Sequence, residues 1–275
     1  MLSVLFWNLM GQRRESLCAN LAQLHSVDIL VLAECQKPPA TVLAALNRLP
    51  GGKTIHWHRT SNAGRVEVFS RFPARELPEI YSSQRYTVHS LVAPDVPELL
   101  LVSVHAMSAL RMNELEQAEE LRGMARHLVE LEDARGHTRT LLVGDLNADP
   151  FDNRVQLTVG LNAIQSRAEA MKGQRRVQKA DYRYFFNPMW QFHARQPPDP
   201  PGTYYRRKAE HSSRLWHLFD QALLRPALLP YFADTDIAIL TGDGTTSFQK
   251  ADGTPNKKVA SDHFPILIKL NYPGV

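Results

Sequence analysis

Six short apolar runs hand the chain over to polar residues of one chemical kind, and this regularity constrains the fold more than any other feature. Ser3 to Trp7 closes on Asn8, and Val27 to Ala33 closes on Glu34. Leu99 to Val104 closes on His105, and Thr140 to Val143 opens into Gly144-Asp145-Leu146-Asn147. Two later runs carry the polar group at their start: Asp220 precedes Gln221 to Leu224, and Asp262-His263 precedes Phe264 to Ile268. Apolar runs this short, bounded by polar residues, read as buried strands.

Helix-like stretches alternate with them. Arg13 to Ser26 carries Leu17, Leu21 and Leu24, and Arg111 to Asp133 carries Leu115, Ala118, Leu121, Ala125 and Leu128 as an apolar stripe. A strand–helix–strand unit implies parallel strands. Asn8 and Glu34 then share one carboxyl edge, where open α/β sheets collect ligands. Later strands running the opposite way would bring Asp220, Asp262 and His263 to the same rim.

The 275 residues are 44% hydrophobic and 22% charged, enough for a substantial core and consistent with a single domain spanning 1–275. Net charge is +4, unevenly placed. Gln165 to Leu215 holds 11 Lys/Arg against 4 Asp/Glu, a balance of +7, so the rest of the chain sums to −3. With its Pro-rich stretch from Gln196 to Pro201, this segment at about 165–215 is expected to be a decorated insertion. Its bases interleave with aromatics, a pairing suited to phosphates and unpaired bases. Arg206, Arg207, Lys208 and Tyr205 are the candidate substrate-binding residues. Cys18 and Cys35 lack metal-type spacing and are expected to be reduced thiols. No apolar run reaches the ~18 residues of a membrane helix, and the sequence opens directly into a strand-like stretch; a cytoplasmic location is the expectation.

Taken in order, Phe6-Trp7-Asn8, Ala33-Glu34, Val104-His105, Gly144-Asp145-Leu146-Asn147, Phe219-Asp220-Gln221 and Ser261-Asp262-His263 resemble the endonuclease/exonuclease/phosphatase (deoxyribonuclease I-like) superfamily. The resemblance spans nearly the whole chain. It implies an α/β (α+β) four-layer sandwich, two mixed sheets face to face with helices outside, and a divalent-metal-dependent phosphoesterase. Gly-Asp-x-Asn-x-Asp also resembles the opening of a calcium loop. Pro150 and Gln156, however, stand where that loop needs Gly and Glu.

The chemistry agrees with the resemblance. Magnesium, or manganese in its place, takes hard oxygen ligands and few protein groups, and Glu34, Asp262 and Asn8 are the expected ligands. Asp145 is the expected base for the attacking water, and Asn147 the group that donates to phosphate. His263, oriented by Asp220, and His105 would face the phosphate oxygens. Motifs of particular branches are missing: Leu218-Phe219-Asp220-Gln221 and Ala148-Asp149 depart from the inositol 5-phosphatase pattern, and Met10 from that of abasic-site endonucleases. The leading expectation is a nuclease acting on DNA or RNA. The alternatives are hydrolysis of a small nucleotide or phospholipid head-group ester, and a non-catalytic binding module.

Overall fold

The computed structural model describes residues 1–36, 38–48, 53–61, 65–108, 114–196, 198–206 and 213–275. In chain order the strands begin with β1 (Leu2–Asn8), β2 (Ile29–Ala33), β3 (His56–His58), β4 (Val66–Ser70), β5 (Glu79–Ser82) and β6 (Tyr86–Leu91). They continue with β7 (Leu99–His105), β8 (Thr140–Asp145), β9 (Ala163–Ile164), β10 (Gln174–Val177), β11 (Ala180–Arg183) and β12 (Phe185–Phe186). The last are β13 (Tyr204–Tyr205), β14 (Trp216–His217), β15 (Asp220–Leu224), β16 (Ile237–Ile239) and β17 (Ile266–Leu270). Three longer helices are α1 (Glu15–Leu24), α2 (Pro39–Leu46) and α3 (Glu114–Arg135).

Two mixed sheets result, one of six strands in the order β16-β17-β1-β2-β4-β3 and one of seven in the order β5-β6-β7-β8-β15-β12-β9. Side chains alternate across a strand, and that alternation sorts every central strand into two cores. Leu2, Val4 and Phe6 of β1 meet Leu99 and Leu101 of β7 and Leu141 and Val143 of β8 between the sheets. Leu5 and Trp7 face outward onto Cys18 and Leu21 of α1 and Val42 and Leu46 of α2. Leu100, Val102 and Leu142 face outward onto Leu121, Met124, Ala125 and Leu128 of α3. The architecture is therefore helix–sheet–sheet–helix, the four-layer α/β sandwich. Each fully buried Leu or Phe contributes about 1.5–3 kcal/mol.

Two sequence expectations change. Leu115 is 72% exposed; it stands six residues before Leu121, roughly 600° of helical rotation, and so points away from the sheet. The described residues of 165–215 do not gather on one surface. Tyr184, Phe185 and Phe186 are buried, and β12 pairs with β15 inside the large sheet. The β10–β11 hairpin stands beside α3, where Arg183 pairs with Glu132 and Asp133. It lies at the Arg225 end of β15, since Arg225 donates to the carbonyls of Arg183 and Tyr184. That is the end opposite Asp220. Arg207 and Lys208 lie outside the described residues. Among the described residues no helix is long and apolar enough to cross a membrane.

Candidate active site

Strand register brings the polar residues together. In the six-stranded sheet β1 runs parallel to β2 with Asn8 opposite Ala33, so Glu34 follows at the same edge. In the seven-stranded sheet His105 lies opposite Asp145, and antiparallel β15 places Asp220 opposite Asp145 on the other side. Gly144 is needed here because a Cβ would overlap the Val104 carbonyl of the neighbouring strand. Antiparallel β17 brings Asp262 and His263 to the Asn8 end of β1. The Asn8 amide nitrogen joins the sheets, donating to Asp145 Oδ2 at 3.0 Å and reaching Glu34 Oε1 at 3.4 Å.

Asn8, Glu34, His105, Asp145, Asp262 and His263 line a cleft of about 550 Å³, together with Met10, Gln36, Arg65, Ser108, Tyr204 and Arg206 among others, while Asp220 is buried behind His263. Met10, Glu34 and Asn147 all adopt left-handed backbone, with φ of 50°, 51° and 48°. Asn tolerates that region, whereas Glu and Met pay for it, on the order of 1–3 kcal/mol. The Glu34 backbone is clamped by its N–H on the Arg65 carbonyl and its own carbonyl on the Gly11 N–H. Strain held in place at a strand end aims a carboxylate into the cleft.

Asp145, Asp220 and His263 present ligand atoms within 4.8 Å of one another. His263 Nδ1 donates to Asp220 Oδ2 at 2.8 Å. Burial opposes charge on His263, but Asp220, then Asp145 and Asp262, outweigh it and push its pKa up to about 10. The surrounding carboxylates therefore favour the imidazolium form of a ring fixed by one of them and facing another. Burial, and after it the Asp220 charge, raises Asp145 above the ordinary aspartate range. Its oxygens accept from the Asn147 N–H at 2.8 Å and from Asn8. Burial likewise raises Asp262, helped by Glu34 and Asp220. Glu34 moves down, mainly through its hydrogen bond with His105, whose Nε2 lies 3.3 Å from Glu34 Oε1.

Every candidate catalytic or metal-ligating residue from the sequence thus reaches this rim, though some face differently from the expectation. Asn8 Oδ1 accepts the Met10 N–H at 2.9 Å, which fixes the amide so that its nitrogen, not its oxygen, meets the carboxylates. His105 packs against Glu34. Asn147 spends one amide hydrogen on the Ala106 carbonyl at 3.0 Å. Arg206 lines the cleft, whereas Tyr205 turns to a neighbouring recess. Sequence reasoning missed the place of Tyr204, counted only among the aromatics of 165–215: its ring lies 4.8 Å from His263 and 5.3 Å from Phe219. It also missed Asp149, which accepts from His217 Nδ1 at 2.8 Å and the Leu218 N–H at 2.7 Å. The signal for Asp149 was the second Asp of the Gly-Asp-x-Asn-x-Asp motif, weighed in the sequence as part of a calcium loop.

Ser261 locks the rim. Its hydroxyl donates to the Asn8 carbonyl at 2.7 Å and accepts the His263 N–H at 3.3 Å. Ser261→Ala leaves both groups buried and unpaired there, with an expected loss of about 1–3 kcal/mol in unfolding free energy by urea denaturation. A smaller loss would show that the junction between β1 and the Asp262-His263 segment relaxes freely.

Among solved structures the fold is similar to that of D. rerio TDP2 complexed with single strand DNA product, at 16% identity over 98% of both chains and a TM-score of 0.54. The 3′ phosphatase NExo from Neisseria bound to product DNA hairpin is similar at 16% identity, covering 99% of this chain and 100% of that one, with a TM-score of 0.55. An AP endonuclease from Archaeoglobus fulgidus aligns at 13% identity over 98% of this chain and 100% of that one, with a TM-score of 0.56. At these identities the likeness is one of fold. No curated protein matches the chain. The model of the Endonuclease/Exonuclease/phosphatase family, however, matches residues 5–263, from the first strand through His263. The chain belongs to the Endonuclease/Exonuclease/phosphatase family.

Proposed function

We propose that residues 1–275 act as one domain that hydrolyses nucleic-acid phosphodiesters with a bound divalent cation, magnesium or in its place manganese. The observation that carries this reading is the meeting, in one cleft, of Glu34 and Asp262 with Asp145 and with His263, which buried Asp220 holds from behind. The residues fit a hard cation. Glu34 and Asp262 are carboxylates lining the same space, near enough that the Glu34 charge raises the cost of charge on Asp262. Asn8 orients Glu34 and Asp145 instead of ligating. A cation held by Glu34 and Asp262 supplies positive charge against that developing on the phosphate.

The remaining work falls to side chains. Asp145 accepts the proton of the attacking water; its raised pKa suits it to that task better than an exposed aspartate. His263 donates from Nε2 to a phosphate oxygen, while Asp220 holds its tautomer and charge. Asn147 places its remaining amide hydrogen toward the phosphate, and His105 steadies Glu34. Arg206 and the ring of Tyr204 meet the substrate beside the scissile bond. The DNA in the TDP2 and NExo structures supports a nucleic-acid substrate. A cytoplasmic location remains part of this reading.

The test is turnover of single- and double-stranded DNA, RNA and a chromogenic phosphodiester, with magnesium or manganese and with chelator. Polymer cleavage that rises with metal and vanishes with chelator is expected. Turnover confined to the small ester would replace the nuclease by a small-molecule phosphoesterase. Binding of DNA with no turnover of anything would leave a non-catalytic module.

A further inference from the structure

The catalytic cleft continues past Asp262. Tyr204 and Asp262 also line a second hollow of about 280 Å³. Lys250 and Asp252 of that hollow line a third, of about 1010 Å³, between residues 193–196 and 198–201 on one side and 249–253 on the other. Shared lining residues make the three hollows one groove, leading away from the scissile position on a single side.

Its walls are built. Gln249 Nε2 donates across to the Pro198 carbonyl at 3.2 Å. The Lys250 N–H closes a turn on the Thr254 carbonyl at 2.8 Å, and Asp252 Oδ1 accepts the Thr254 N–H at 3.0 Å. Below them Arg14 grips the carbonyls of Lys258 at 2.9 Å and Ala260 at 2.6 Å. The surface so held pairs rings with cations. Tyr204, Tyr205 and Trp216 are all half-buried, the last two edge to face at 5.1 Å. Lys250 and Lys257 stand exposed beside them. One carboxylate of the groove, Asp199, is met by Arg195 at 3.7 Å.

We propose that this groove is the path of an unpaired nucleic-acid strand on one side of the scissile phosphate, and that the enzyme prefers substrates carrying such a single-stranded extension. The inference rests on the nuclease reading above. Rings set among cations suit splayed bases, which stack on aromatic faces whatever their identity. A duplex hides those faces and offers phosphates alone. A small head-group ester needs only the cleft beside His263, which Lys250 does not line.

Lys250→Glu and Trp216→Ala test the path on a long single strand, a blunt duplex and the chromogenic diester of a single nucleotide. The unaltered protein is expected to favour the single strand over both others. Lys250→Glu, at an exposed position, should flatten the log–log salt dependence of single-strand binding by about 0.7 or more. Trp216→Ala should lower single-strand kcat/KM by roughly 5- to 150-fold, the worth of one stacked base. Both variants should turn over the small diester as the unaltered protein does. An unchanged salt slope for Lys250→Glu, or an equal loss on the blunt duplex, overturns the groove and leaves the active-site reading standing. Failure of the unaltered protein to cleave any phosphodiester with metal overturns both.

Discussion

Asp145→Asn is expected to lower phosphodiester turnover by roughly 10²–10⁴ while the protein keeps its fold, the usual worth of a positioned general base. The carboxylate is 1% exposed, held at one oxygen by the Asn147 N–H and at the other by Asn8. Burial and the Asp220 charge make it a better proton acceptor than a free aspartate, while the imidazoles of His263 and His105 pull the other way. Asparagine has the same shape and keeps the bond from Asn147. It cannot take a proton, and its amide nitrogen confronts that of Asn8. The readout is single-turnover cleavage at saturating metal, with thermal melting alongside. Near-normal turnover at unchanged melting would remove Asp145 from the chemistry. Lost turnover with lost folding would be answered by Asn8→Asp in the same background, which restores an acceptor opposite the new amide.

The rim was legible because each central strand runs straight from a buried stretch into its polar residue. Strand direction alone then decides which end that residue reaches. The division of labour between sheets was not legible. Asn8, Glu34 and Asp262 rise from the six-stranded sheet, and His105, Asp145 and Asp220 from the seven-stranded one. A pattern of alternating strands and helices contains nothing that assigns a strand to one sheet. Strands such as β9, β12, β13 and β14, two residues each, are too short to show any period.

Side-chain direction was the second loss. Tyr204 and Tyr205 are neighbours in sequence and sit on opposite faces of β13, one toward His263 and the other toward Trp216. The sequence reading singled out the second as a substrate contact and counted the first only among the aromatics of the segment. Charge was the third. A balance of +7 over 165–215 counts side chains without their partners, and Arg183 spends its guanidinium on Glu132 and Asp133. Only Arg206, of the bases expected to meet substrate, lies within the described residues and in the cleft.

Those misplaced bases point to where the sandwich is held at its other end. Glu132 is 1% exposed and accepts from Thr140 Oγ1 at 2.8 Å, Arg225 Nε at 2.8 Å and Arg183 at 3.0 Å. Arg225, itself 2% exposed, lies over the Phe185 ring at 3.9 Å. Burial lowers the guanidinium pKa, and Glu132 beside it works against that. Glu132→Ala therefore strands a buried cation, with an expected cost of about 3–5 kcal/mol in unfolding free energy. Turnover per folded molecule should not change, because this cluster sits at the Arg225 end of β15 and the chemistry at the Asp220 end. Replacing both partners, Glu132→Leu with Arg225→Leu, should cost less than the single change, since an apolar pair needs no compensation. The measurement is the urea midpoint at constant slope. A loss below about 1 kcal/mol for Glu132→Ala would mean that water reaches Arg225 and the pair behaves as a surface one.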